Sequence, residues 1–379
     1  MGCEKNQNCG GCQFRHLAVQ DYQKQKTKAV LSVLKNNLGD IEDIFQKPVF
    51  IADGLRRRAT FAFKYQKGIL NFGFNENQSH QIINVEECLM LTDKVNRNLK
   101  SVQDFLSRLC AIVTTKKQKG KIFFQEQIKE GDLHILQAQN GLDIVLEISN
   151  ELELEHRLEI ADFMAQNIDS IRFSYRKNQA NRAEVVIEKA KPFIIIEDRQ
   201  VYVAPGDFLQ ASKEGEKALV DIVLKYVGDA RGQMADLFCG IGTFSYALSR
   251  LENTKIVAAD ISPSLLEGFQ KSVNAQMISN ISILSKNLFL YPFEASELEK
   301  FDVVLFDPPR AGAIEQVREL CKIIPERRPK KVIAVSCNVK TFCRDAKLLI
   351  EAGYVLKSVT LVDQFVYSDH SEIVALFEK

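Results

Sequence analysis

From about residue 201 onward the chain alternates short apolar runs with helical segments. The runs are 234–238, 255–259, 303–306 and 332–335, and the segments between them include 243–250 and 262–275. Parallel strands cannot be joined by a tight turn; each needs a crossover, usually a helix. The pattern therefore predicts an α/β fold in which 201–379 forms a doubly wound, Rossmann-like sheet. Ligands of such sheets bind outside the carboxyl ends of the strands, so the residues that close each run are the candidates for chemistry.

The rest of the chain differs in character. Residues 1–90 combine a cysteine cluster, a polar helical stretch at 21–37 and strand-like runs such as 59–65. Residues 91–200 open with a helical stretch through Asp104 and Leu109. They continue with strands at 121–124, 134–137, 144–147 and 184–187 and a helical pattern at 152–167, which predicts a central α+β domain. No apolar stretch approaches the roughly eighteen residues of a membrane span, and the polar N-terminus lacks a secretory signal; a cytoplasmic monomer without membrane contact is expected. The 9 cysteines are too few and too uneven for a disulfide scaffold of 379 residues, and read instead as metal ligands, nucleophiles or core. The net charge of +1 does not announce nucleic-acid binding. Local basic clusters do occur: Lys24, Lys26 and Lys28; Arg56, Arg57 and Arg58; Lys116, Lys117, Lys119 and Lys121. Taken alone, each is more often a solvated face than an RNA contact.

The run ends are chemically marked. Asp236-Leu237-Phe238-Cys239-Gly240-Ile241-Gly242 closes the first run, where two glycines let backbone approach a ligand. About twenty residues on, Asp260 ends the next run and offers a carboxylate to a ribose diol. The leading acid, this spacing and the missing third glycine favour S-adenosylmethionine over a dinucleotide. Asp307-Pro308-Pro309-Arg310 closes the third run with a rigid turn. Ser336-Cys337-Asn338 closes the fourth, and Cys337 is the candidate nucleophile, although a buried core cysteine would read alike. Glu372, opening the apolar run 373–377, is a candidate base. Near the N-terminus Cys3, Cys9 and Cys12 give C-x5-C-x2-C, with Cys88 far downstream; three close thiolates and one remote one suit a 4Fe–4S cluster or a structural zinc.

Together these motifs resemble the RNA uracil-5 methyltransferase family over nearly the whole chain, most closely its iron–sulfur, ribosomal RNA branch. Pro205-x-x-Phe208-x-Gln210, the Asp236–Gly240 loop, the Asp307 turn, Ser336-Cys337-Asn338 and His370-Ser371-Glu372 follow in the family's order. The resemblance implies that Cys337 adds to carbon 6 of a uridine and that Glu372 removes the proton from carbon 5. It implies that Gln210, Asp236, Phe238, Gly240, Asp260, Asn287 and Asp307 hold S-adenosylmethionine, with Asp307 also near the uracil. Cys3, Cys9, Cys12 and Cys88 would hold a 4Fe–4S cluster. The expected partner is RNA: 23S rRNA first, with uridine 747 ahead of 1939, and uridine 54 of a tRNA T-loop as the alternative. No extra barrel precedes Cys3, which favours the shorter branch. Phe208 is expected to stack on a flipped base, and Arg56 and Arg58 to hold RNA. Three positions depart from the family pattern: Asn287 for an aspartate, Asp260 for a glutamate and Val366 for a proline. A cluster-bearing RNA-binding factor without catalysis, or a methyltransferase for amino groups, would share parts of this pattern.

Overall fold

A computed structural model describes residue 3 and residues 8–77, 79–118 and 122–379, with 116–118 and 122–124 as backbone alone. The basic cluster from Lys116 to Lys121 thus lies outside the described side chains. Contacts divide the chain into two units whose limits do not follow the expected boundaries at 90 and 200. One consists of Asp53–Ile194 with the described residues before Leu17 and the segment Val203–Asp207. The other consists of Leu17–Ala52, Ile195–Tyr202 and Phe208–Lys379.

The first unit is a seven-stranded sheet backed by two helices. Its strands run in the order Glu184–Glu188, Ser170–Arg176, Leu142–Glu147, Glu130–Gln137, Arg58–Gln66, Ile69–Asn75, Ile82–Asn84. Only Leu142–Glu147 and Ser170–Arg176 pair in parallel, and they are the two joined through a helix, Leu154–Gln166. The second helix, Asp93–Ala111, buries Val95, Leu99, Val102, Leu106 and Leu109, a stripe at three- and four-residue spacing. Phe105 on that helix stacks on Phe163 of the other at 4.3 Å, and both meet the edge of Phe173 in the sheet.

The second unit carries an eight-stranded sheet in the order Val49–Phe50, Val355–Asp363, Glu372–Glu378, Lys331–Ser336, Val303–Phe306, Gly232–Leu237, Thr254–Asp260, Ile281–Ser285. Of the apolar runs found in the sequence, 303–306 is a strand as it stands, 255–259 and 332–335 gain one residue at each end, and 234–238 becomes Gly232–Leu237. The sheet is parallel as expected, with one difference: Glu372–Glu378 runs antiparallel to both neighbours. Its pairing sets Ile373 opposite Ser336 and Glu372 opposite Val362. Reversed in direction, this strand begins where its neighbours end. Its first residue therefore stands at the carboxyl edge, where the other functional residues lie.

The helix Val19–Leu38 belongs to this unit, with Val30 and Leu34 in the same core as Ala235, Val304, Val332 and Phe377. It also corrects the reading of its lysines. Lys24 and Lys28 are exposed, but Lys26 is 5% exposed. Its ammonium donates to the carbonyls of Ser368 and His370 at 2.6 and 2.5 Å and lies 3.5 Å from Asp363, which is fully buried. Tyr22, one turn earlier, donates to Asp363 Oδ2 at 2.6 Å and packs on Tyr367 at 4.7 Å. Tyr367 holds φ +61°, a conformation costly for an aromatic residue and retained only where neighbours enforce it. Burial pushes the lysine pKa down and the Asp363 pKa up, so the pair exists at a desolvation cost. Removing one member leaves the other charge stranded. We expect Lys26→Met to cost about 3 kcal/mol in urea unfolding, and Lys26→Met combined with Asp363→Asn to recover part of it; a loss below ~1 kcal/mol would show the pair to be dispensable.

Candidate active site

The glycine loop turns directly off the strand end. Phe238, Gly240 and Gly242 all have positive φ, at +61°, +56° and +87°. A Cβ on Gly242 would lie 2.3 Å from the Phe269 ring, so this glycine is required by packing as well as by φ. A Cβ on Gly240 would meet nothing within 4 Å, leaving open space beside the backbone there. Asp260 ties this loop to the next: Gly240 N–H donates to its Oδ2 at 3.0 Å and Ser262 N–H to its Oδ1 at 2.8 Å. Each oxygen keeps acceptor capacity beyond these bonds.

Asp236 is fully buried beneath the loop. Ser245 donates to its Oδ2 at 2.6 Å, whereas Oδ1 has no partner among the described residues. Burial raises its pKa to about 7 despite the serine. Asp236 thus braces the start of the Thr243–Leu248 helix from below. Asn287 is likewise occupied locally, its Oδ1 accepting from the amides of Phe289 and Leu290 at 3.1 and 3.3 Å. The Phe289 ring lies 5.3 Å from that of Phe238, giving the loop an aromatic flank.

The turn that carries Cys337 is built by its neighbours. Asn338 caps the Val339–Glu351 helix, its Oδ1 accepting from Lys340 N–H at 3.0 Å, while Ser336 Oγ accepts from Asn338 N–H at 3.3 Å. Cys337 is left half-buried just outside a thirteen-residue helix, whose amino end favours negative charge. The same helix holds the loop after Asp307. Asn338 and Thr341 donate to the Arg310 carbonyl, Arg344 to that of Ala311, and Asp345 accepts from Ala313 N–H at 2.7 Å. One helix therefore fixes both the cysteine and the Asp307 turn.

Electrostatics link Cys337, Asp307 and Glu372. Burial, then the charges of Glu372 and Asp307, push the Cys337 thiol up to about 11; Arg310 opposes this. Burial, then Glu372 and Asp236, raise Asp307 well above the carboxylate range. Glu372, 5% exposed, is raised to about 7 by burial, held back by a hydrogen bond from Gln364 at 3.2 Å. Gln364 belongs to none of the sequence motifs. Its Nε2 also donates to Gln210 Oε1 at 2.7 Å, so Gln210 is joined to Glu372 through it. Phe208, two residues before Gln210, is 58% exposed. At the rim Arg310 lies 3.1 Å from the His370 ring.

In the other unit the cysteines converge in part. Gly10 N–H donates to the Asn75 carbonyl at 3.0 Å, where a Cβ on Gly10 would clash at 2.8 Å, and this approach places Cys9 against Glu76. Cys88 is set by Asn96, which accepts from its amide and donates to its carbonyl, each at 2.9 Å. Burial and the charges of Cys88 and Cys9 raise the Cys12 thiol to about 12, whereas Arg15 and Arg56 draw it down. The three thiols thus share one electrostatic environment with two guanidinium groups. Among the described residues, however, no three His, Cys, Asp or Glu side chains are arranged to hold a metal ion. Arg56 and Arg58 are half-buried rather than displayed. Arg56 faces Cys88 and Cys12, and burial with the neighbouring guanidiniums lowers Arg58 to about 10.

Comparison with known proteins agrees with this geometry. The chain is 34% identical to an uncharacterized RNA methyltransferase of Agrobacterium fabrum over 99% of its own length and 83% of the relative's. It is 27% identical to the 23S rRNA (uracil(1939)-C(5))-methyltransferase RlmD of Shewanella sp., over 99% of this chain and 81% of that one. Its fold superposes on the tRNA (uracil-54, C5)-methyltransferase of Pyrococcus abyssi, solved with S-adenosyl-L-homocysteine, with a TM-score of 0.71 over 97% of this chain and 85% of that one at 21% identity. The family model for tRNA (uracil-5-)-methyltransferases matches residues 19–379, so the chain belongs to that family and is an RNA (uracil-5-)-methyltransferase.

Proposed function

We propose that this enzyme methylates carbon 5 of a 23S rRNA uridine through a covalent bond to Cys337. The observation that supports this reading most is the convergence of Cys337, Asp307 and Glu372 at one sheet edge, close enough for each acid to raise the thiol pKa. Bound S-adenosylmethionine supplies an electrophilic methyl group. Gln210, Asp236, Phe238, Gly240, Asp260, Asn287 and Asp307 would hold it; the open space at Gly240 fits a close backbone approach. Cys337 Sγ loses its proton to solvent and adds to carbon 6, forming an S–C bond and moving the C5=C6 electrons onto an enolate; carbon 5 takes the methyl group as the methyl–sulfur bond breaks and S-adenosylhomocysteine leaves with that electron pair. Glu372 then removes the proton on carbon 5, the S–C6 bond breaks, and its electrons restore the thiolate as the ring double bond re-forms. The exposed ring of Phe208 would stack on the flipped uridine.

The 23S rRNA assignment follows the branch resemblance and the name of the Shewanella relative, which carries position 1939; 747 and tRNA uridine 54 are the other targets to be tested. We further propose a 4Fe–4S cluster on Cys3, Cys9, Cys12 and Cys88, favoured by the shared environment of the last three, with zinc as the alternative. Nothing in the methyl transfer requires electrons, so the cluster serves structure or RNA docking. Anaerobically purified protein should contain iron and acid-labile sulfide, both lost in Cys12→Ser; zinc without sulfide would replace the cluster in this reading.

Two expectations concern the catalytic pair. Cys337→Ala should abolish methyl transfer to RNA from cells lacking the enzyme while cofactor binding by equilibrium dialysis persists, and Glu372→Gln should accumulate a denaturation-resistant protein–RNA adduct. Mapping the adduct names the uridine; retained activity in Cys337→Ala would remove this cysteine from the chemistry. The second concerns pH. A carboxylate beside a thiol disfavours the thiolate, so removing the carboxylate charge lowers the thiol pKa. Iodoacetamide labelling of Cys337 should titrate near pH 11 in the native enzyme and at lower pH in Glu372→Gln. An unchanged midpoint would separate the two groups electrostatically.

A further inference from the structure

The carboxamide of Gln364 is bonded through both its N–H groups and its oxygen, between Glu372 and the 210–211 segment. Its two N–H groups reach Glu372 Oε1 at 3.2 Å and Gln210 Oε1 at 2.7 Å, and its Oε1 accepts from Ala211 N–H at 3.3 Å. The orientation is dictated by its partners: the reversed amide would set a carbonyl against a carboxylate and against another carbonyl. Its rotamer is confined as well. Gly215, in the first turn of the Lys213–Val227 helix, leaves room where a Cβ would lie 2.9 Å from Gln364 Cβ and 3.0 Å from its Oε1. The residue before it, Asp363, is fixed by Tyr22 and Lys26. Gln364 itself is 5% exposed, so water does not compete for these bonds.

From this geometry we infer that Gln364 is the positioning residue for the base, holding the Glu372 carboxylate aimed and ionised and tying it to the segment that carries Phe208 and Gln210. The inference rests on the covalent reading of the reaction given above. A buried carboxylate loses water and regains only what the protein offers; here the donor shown is one amide hydrogen. Without it the acid form is favoured, and proton removal from carbon 5 needs higher pH. Addition of Cys337 and methyl transfer precede that step and do not use the amide. Loss of Gln364 should therefore divide the reaction into an early part that persists and a late part that stalls.

The experiment uses full-length Gln364→Met, which keeps the volume of the side chain, with Gln364→Asn as a shorter variant should the first fail to fold. Radiolabelled S-adenosylmethionine and unmodified RNA are supplied. Methyl-labelled adduct and free 5-methyluridine are followed separately across pH, and cofactor affinity is measured by calorimetry. We expect adduct to form at close to the native rate. Release should slow roughly tenfold to hundredfold, as for loss of a hydrogen bond to a charged group, with its pH midpoint moved upward and cofactor affinity reduced severalfold. Native release, or an equal loss in both phases with an unmoved midpoint, would overturn the positioning role. Glu372→Gln is run beside it: if that variant traps no adduct, the covalent reading fails and the inference falls with it. If it traps adduct while Gln364→Met releases normally, only the inference fails.

Discussion

The meeting of Cys337 and Glu372 at the carboxyl edge of the sheet depends on one reversed strand. In a purely parallel sheet every strand arrives at the carboxyl edge with its last residue, and each is followed by a crossover that leads the chain away. Glu372–Glu378 instead starts at that edge and runs back between Val355–Asp363 and Lys331–Ser336. Ladder pairing over six registered positions with the strand that leads to Cys337, and over seven with Val355–Asp363, fixes its offset. Glu372 is therefore set by main-chain hydrogen bonds of a buried sheet, and Cys337 by the turn that follows the neighbouring strand.

The cost of the arrangement is electrostatic. Asp236, Asp307 and Glu372 lie within range of one another with little solvent, and each is shifted towards its neutral form. Such surroundings disfavour a thiolate at Cys337, and a cation beside the acids would favour one. An enzyme with an exposed low-pKa cysteine would be open to oxidation between turnovers; a thiol raised to about 11 is protected.

Much of this was legible in the sequence where function and secondary structure share the same residues. Phe238, Asp260, Asp307 and Cys337 each close an apolar run, so finding the strand finds the group. Gly240 and Gly242 are legible because only glycine fits their backbone. What the sequence concealed are long-range pairings. Lys26, flanked by Lys24 and Lys28, looks like any solvated lysine, since its burial depends on carbonyls more than 340 residues away. Gln364 belongs to no motif and acquires its role only when Gln210 and Glu372 are brought to it. Arg56 and Arg58 read as a surface cluster because adjacent arginines usually are one, yet the Arg58–Gln66 strand draws them inward. The strand Val355–Asp363 escaped notice because its first half is polar and exposed, and only its last residues are buried.

The clamp of Lys26 on the carbonyls of Ser368 and His370 also has a meaning in time. The carbonyls it grips lie 342 and 344 residues further along the chain. In synthesis the helix is therefore made long before its lysine has native partners, and the contact waits on Asp363 as well. Contacts of such sequence separation close late, because the entropy of closing the loop is met before they form. A copy that stops short of Asp363, even one retaining Cys337 and the glycine loop, cannot close this clamp and keeps its apolar strand edges open to aggregation.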